Sequence, residues 1–136
     1  MKSLTYAEVN EGDELPVLDV PITRTAIVAG AIASRDYQDV HHDAELAKAR
    51  GSKDIFMNIL TTNGWVGRFV TDWAGPDAVL KKVSVRLGAP NYPGDTMRMT
   101  GRVTSKGDDG LVEVEIRGAN GLGDHVVGTV TLVLPA

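Results

Sequence analysis

Apolar and polar residues alternate most regularly near the C-terminal end of the chain. There Val112, Val114 and Ile116 are interleaved with Glu113, Glu115 and Arg117. A period of two sends the two sets to opposite faces of a strand, so residues 111–119 are predicted to form a half-buried strand. The same period marks Val83, Val85 and Leu87 in a strand over 80–89, and Met97, Met99, Gly101 and Val103 in one over 96–105. A last strand is expected over 125–134. Pro93-Gly94-Asp95, Asp108-Asp109-Gly110 and Asn120-Gly121-Leu122-Gly123 punctuate this half as turns. Connections this short imply antiparallel neighbours. Residues 15–22, "LPVLDVPI", read as one more short strand upstream.

The period changes in the first half. Ile55, Ile59, Val66, Val70 and Trp73 recur at spacings near three to four, and Phe56, Leu60 and Phe69 widen the stripe. A long helix is predicted over 54–73, with Asp54 at its positive end and Ala74-Gly75-Pro76 as its stop. Gly64 and Gly67 each cost about 1 kcal/mol relative to alanine inside a helix. Close approach of another backbone, such as a sheet wrapped tightly around the helix, is the expected reason. Shorter helices are predicted over 23–33, capped by Thr23, and over 44–50, with Asp43 as cap and Gly51 as stop. A long apolar helix followed by four antiparallel strands is an α+β arrangement. The length suits one domain, 1–136.

Composition narrows the function. A net charge of −4 argues against a nucleic-acid binder, which needs excess lysine and arginine. There is no cysteine, hence no disulfide framework and no thiolate metal site. The start, "MKSLTYAEVNEGDELP", lacks the basic and apolar segments of a signal peptide, and no run approaches the roughly 20 apolar residues of a membrane helix. A cytoplasmic location without membrane contact is expected. No phosphate-binding glycine loop and no serine nucleophile elbow occurs. Nucleotide hydrolysis, dinucleotide redox chemistry and serine hydrolysis are therefore disfavoured.

The densest chemistry lies in "SRDYQDVHHD", residues 34–43, where two histidines stand among three aspartates and an arginine. A carboxylate and an imidazole on one water can act as base and acid. Asp36 and His41 are five residues apart and would not share a helix face, so only an irregular loop could bring them together. The plainer reading is a solvated charged loop. Within it Asp43 reads as a helix cap, His42 as structural, and Asp39 and Arg35 as surface. A hard-metal or zinc set of Asp36, His41, His42 and Asp43 lacks any supporting His-x3-His or carboxylate cluster, so no metal is expected. His125 reads as an ordinary strand-end residue, and Trp65, Phe69 and Trp73 as core.

These features together resemble the MaoC-type hydratases, over nearly the whole chain. The family's hydratase motif runs roughly Ser-Gly-Asp-x-Asn-Pro-aliphatic-His. Ser34, Asp36, Val40 and His41 match it in spacing, whereas Arg35, Gln38 and Asp39 replace the glycine, asparagine and proline. The later strand followed by "PGDT" and the closing "NGLG" are also similar. More narrowly, "RDYQDVHHD", "GSKDIF", "VTDWAGP" and "GDHV" resemble the small catalytic subunits of heteromeric steroid side-chain enoyl-CoA hydratases of actinobacterial cholesterol catabolism. One departure is plain. Where the family carries Ala-His-Gly, this chain has Phe56, Met57 and Asn58.

The resemblance implies a hot-dog fold, a curved antiparallel sheet around one long helix. It implies hydration of an enoyl-CoA thioester, with Asp36 and His41 jointly activating the water and returning the proton. Backbone N–H groups at Met57 or Asn58 would hold the thioester oxygen. No separate cofactor is implied, because coenzyme A is part of the substrate. The implied partner is a second MaoC-like subunit or a second copy of the chain, and pairing of sheet edges would remove an exposed edge. The alternatives are a homodimeric (R)-specific hydratase of fatty acyl-CoA and a non-catalytic subunit completing a partner's acyl pocket. A thioesterase would need a carboxylate on the central helix, whose interior offers none before Asp72.

Overall fold

Four consecutive C-terminal strands account for most of the sheet. In the computed structural model, which describes residues 1–136, they are β2 (Val79–Leu87), β3 (Thr96–Lys106), β4 (Leu111–Asn120) and β5 (Gly123–Val133). β1 (Leu18–Pro21) adds to β3, and the antiparallel order is β1-β3-β4-β5-β2. Each strand predicted by alternation is present. "NGLG" is the tight turn of the β4–β5 hairpin, with Asn120 paired to Gly123, so both strands run further toward it than expected. The expected Pro93-Gly94 turn is also formed, with Gly94 at φ 90° as the third turn position requires.

The inward set on the strands is the predicted one. Met97, Met99 and Val103 of β3, Val112, Val114 and Ile116 of β4, and Val126, Val130 and Leu132 of β5 are buried. Against them lies α3 (Ile59–Ala74), through Val66, Phe69, Val70 and Ala74. α1 (Arg24–Ala33) and α2 (Ala44–Ala49) are capped by Thr23 and Asp43, as expected. No helix is long and apolar enough to cross a membrane.

Two expectations about the long helix fail. It begins at Ile59, not Asp54. The Asp54 carboxylate instead takes both guanidinium nitrogens of Arg24, at 2.9 and 2.6 Å, and caps nothing in α3. The cap is Asn58, whose Oδ1 accepts from the Thr61 N–H at 3.0 Å. Residues 55–58 lie outside any helix or strand, with the Phe56 N–H on the Val40 carbonyl and the Met57 N–H on the Asn91 carbonyl. The buried face therefore starts at Thr62, while Ile59 and Leu60 stay about half exposed.

Gly64 and Gly67 do not mark close approach either. A Cβ at Gly64 would meet nothing within 4 Å, and one at Gly67 only Leu80 Cδ2 at 3.9 Å. The glycines that permit close packing lie elsewhere. Gly101 on β3 receives the Phe69 ring of α3, Gly128 on β5 lies against the Ser84 carbonyl of β2, and Gly30 on α1 lies against Thr61 of α3. The sheet supplies the small residue where the helix packs on it.

Gly64→Ala should raise stability by about 1 kcal/mol, the helix-propensity difference. Gly30→Ala should lower it by about 1–2 kcal/mol, because overpacking against Thr61 outweighs the same propensity gain. Denaturant midpoints of the two variants should move in opposite directions.

Candidate active site

The loop of crowded charges begins where α1 ends. The Asp36 N–H returns to the Ala31 carbonyl at 2.9 Å and the Arg35 N–H to the Ile32 carbonyl at 3.1 Å. This pair of bonds closes a helix with its second-last partner residue in the left-handed region. Arg35 holds that position at φ 57°. A glycine suits it better, which gives a physical reason for the glycine of the family motif at this point. The closure fixes where Asp36 leaves the helix. Ser34 stays bound to α1 through its Oγ, which donates to the Gly30 carbonyl at 2.7 Å.

His41 ends a 3-10 turn over Asp39–His41 and is almost fully buried. Its Nδ1 lies 2.7 Å from the Phe56 carbonyl. A carbonyl only accepts, so Nδ1 carries a hydrogen and Nε2 is left for another partner. Nε2 faces Asp36, 3.4 Å from Oδ2. The Phe56 ring packs edge-on to the imidazole, with centroids 5.0 Å apart. The two residues separated by "YQDV" thus converge, and the intervening turn is what permits it.

Asp36 is held ionised. The Asn58 amide is the largest cause of its lowered pKa, at 3.1 Å from Oδ2, with the Gln38 N–H and His41 assisting and partial burial opposing. The other charges of the loop go elsewhere. Asp39 pairs with Arg50 at 2.8 Å, Asp43 caps α2, and His42 Nε2 lies 3.2 Å from the Tyr37 carbonyl. Asp36, His41, His42 and Asp43 do not gather as a metal-ligand set.

Of the two expected backbone donors, Met57 is engaged by Asn91. The Asn58, Ile59 and Leu60 N–H groups find no acceptor within the chain, as is usual for the first amides of a helix. Leu60 also lines an open groove between α1 and α3, together with Ala33, Ser34 and Trp65 among others, whereas Asp36 and His41 do not line it.

Sequence reasoning passed over three features. The Asn58 side chain is buried between the two halves of the site, and only its backbone was singled out. Arg35 occupies a left-handed position that its side chain does not announce. His125 is no ordinary strand end. It is buried, with Nδ1 2.7 Å from the Ala89 carbonyl and Nε2 2.8 Å from Thr62 Oγ1 of α3. The only hint was a histidine within an otherwise apolar strand.

Comparison with known proteins shows the family. The model of the MaoC like domain matches residues 8–121. The chain is 54% identical over 121 residues to the 3-oxo-4,17-pregnadiene-20-carboxyl-CoA hydratase beta subunit of Mycobacterium tuberculosis, covering 89% of this chain and 93% of that one. Among solved structures it is similar to a chain of the ChsH1-ChsH2 complex from M. tuberculosis, with TM-score 0.90, 52% identity, and 92% and 98% of the two chains covered. R-hydratase PhaJ1 from Pseudomonas aeruginosa, unliganded, shares the fold with TM-score 0.90 at 21% identity, over 98% of this chain and 86% of that one. Helix α3 on the five-stranded antiparallel sheet is the expected hot dog. From the domain match and from a relative more than half identical along most of its length, the chain belongs to the MaoC-like domain family.

Proposed function

We propose that this chain is the catalytic subunit of an enoyl-CoA hydratase that adds water across the α,β double bond of a steroid side-chain enoyl-CoA. The observation that carries the reading is the approach of Asp36 Oδ2 and His41 Nε2 to 3.4 Å, a carboxylate and an imidazole facing one another at the end of α1. When the imidazole is neutral, both atoms are acceptors and call for a donor beside them. A water molecule has two O–H donors, one for each, and its lone pairs are then left for an electrophile.

The chemistry follows from that placement. Asp36 and His41 together orient the water and take one of its protons as its oxygen bonds to the β-carbon. The π electrons move toward the α-carbon and the thioester oxygen. The Asn58 N–H, at the positive end of α3, accepts that developing charge. The proton then passes to the α-carbon, giving the β-hydroxyacyl thioester. Coenzyme A arrives as part of the substrate, and no separate cofactor or metal takes part. We place the reaction in the cytoplasm.

The steroid substrate and the partner rest on the relatives, a hydratase beta subunit and a chain from a two-component complex. The sheet supports a second hot-dog subunit. β1 is a short edge that ends in Pro21, whereas β2 is a nine-residue edge with Val79 and Leu80 exposed. Such an edge invites pairing.

The test is loss of the conjugated-thioester absorbance on hydration. The chain should be assayed alone and with a co-expressed MaoC-like partner, on a steroid side-chain enoyl-CoA and on crotonyl-CoA. The expected result is hydration of the steroid substrate in excess of crotonyl-CoA, and only with the partner. Equal activity of the chain alone on crotonyl-CoA would favour the homodimeric fatty acyl hydratase instead. No hydration of either substrate by the assembled complex would overturn the reading.

A further inference from the structure

Asn58 stands where the family motif has a glycine, and its side chain fills a place that no glycine could. It is 2% exposed, and every polar atom of its carboxamide is engaged. The amide orientation is settled by its partners. Oδ1 faces the Thr61 N–H, which can only donate, at 3.0 Å, and the Thr61 hydroxyl at 2.6 Å. Nδ2 must therefore face the other way. There it donates to Ser34 Oγ at 3.0 Å and to Asp36 Oδ2 at 3.1 Å. Ser34 is free to accept because its own hydrogen goes to the Gly30 carbonyl.

We propose that Asn58 is a positioning residue for hydration, whose carboxamide clamps the Asp36 carboxylate in the orientation that faces His41. This rests on the hydratase reading above. One side chain ties the end of α1, the start of α3 and the reacting carboxylate together. The contact of Gly30 with Thr61 braces the same junction from below.

The electrostatic surroundings make the clamp important. His41 is the only chargeable side chain against Asp36. On the same turn Asp39 is committed to Arg50, on the 55–58 segment's approach Asp54 is committed to Arg24, and on α3 Arg68 is committed to Asp72. Arg35, the chain neighbour, is exposed and forms no ion pair with Asp36. The Asn58 Nδ2–H is thus the side-chain donor that favours the ionised, correctly turned carboxylate.

Asn58→Asp and Asn58→Ser separate this role from helix capping, since both retain a capping oxygen. Asn58→Asp replaces the donor by an oxygen about 3 Å from Asp36, and adjacent carboxylates raise one another's pKa. Asn58→Ser withdraws the donor altogether. Both should lower kcat by about 10- to 100-fold through misplacement of the reacting group. KM should change little, and the acidic limb of the kcat/KM profile should move to higher pH, further in Asn58→Asp. The assay uses the assembled complex. Asp36→Asn is run alongside, and thermal midpoints are recorded.

A lower kcat with the acidic limb displaced supports the clamp. If the limb stays at its wild-type position in both variants while Asp36→Asn is inactive, Asn58 is only a helix cap, and the proposal fails although the hydratase reading stands. If Asp36→Asn itself keeps the wild-type rate, the hydratase reading fails and takes this proposal with it. Should Asn58→Asp not fold, Asn58→Ser decides by the same criteria.

Discussion

Asp36→Asn and His41→Ala are each expected to reduce enoyl-CoA hydration by about 10²–10⁴, the usual contribution of a positioned acid or base. The double variant should lose far less than the product of the two, because both groups act on one water and removing either disables the pair. Asp36→Asn keeps the shape of the side chain but turns an acceptor into a donor. His41→Ala also releases the Phe56 carbonyl that fixes the imidazole. His42→Ala is the control. Its ring nitrogen is turned to the Tyr37 carbonyl, and its loss should leave turnover nearly intact. Wild-type rates in both single variants, with the fold preserved by circular dichroism, would reduce the charged loop to surface decoration.

The other large effect concerns His125. His125→Ala should lower stability by roughly 2–4 kcal/mol at pH 8, through a cavity, an orphaned Ala89 carbonyl, and a Thr62 hydroxyl left only its long bond of 3.4 Å to the Asn58 carbonyl. Burial pushes the His125 pKa below its ordinary value of 6.5, against a smaller opposing pull from the Ala89 carbonyl. The folded state therefore binds fewer protons at this site than the unfolded chain does. The neutral ring's contribution is complete above about pH 6.5 and is lost as the pH falls from there toward the lowered folded-state value. Within that window the loss amounts to at most about 1.4 kcal/mol per pH unit. Chemical denaturation at several pH values should show the gap between wild type and His125→Ala narrowing below pH 6.5. A constant gap from pH 8 to pH 5 would mean that His125 is not held neutral.

Much of this molecule is legible in its sequence, and the reasons are local. β4 could be read because Val112, Val114 and Ile116 alternate with charges and its flanking turns carry glycine. The pairing of Asp36 with His41 was readable only through motif spacing, since nothing in "YQDV" says how the loop bends. The start of α3 was misread because Asp54 and Ile55 carry suitable residue types for a helix. The decisive partner, Arg24, lies 30 residues away. Likewise Gly64 and Gly67 advertise a close approach that Gly101, Gly128 and Gly30 provide. A glycine's neighbour across the fold is tertiary information. Asn58 was noticed for its backbone alone, because a carboxamide gives no sign in sequence of which groups it will bridge.

The order of strands along the sheet also bears on how the chain matures. Everything that forms the candidate site, together with α3, is contained in residues 1–78, whereas the surface on which α3 packs is made by β3, β4 and β5. At roughly 5–20 residues per second on the ribosome, the first half spends several seconds as nascent chain without its sheet. The β3–β4–β5 meander can close through short turns as soon as it emerges, but β1 must reach back from residue 18 to pair with Met99. Such distant pairing is slow. The loop bearing Asp36 and His41 is therefore synthesised early, whereas the sheet that backs α3 comes late, and that interval is when chaperones and proteases would have access to it.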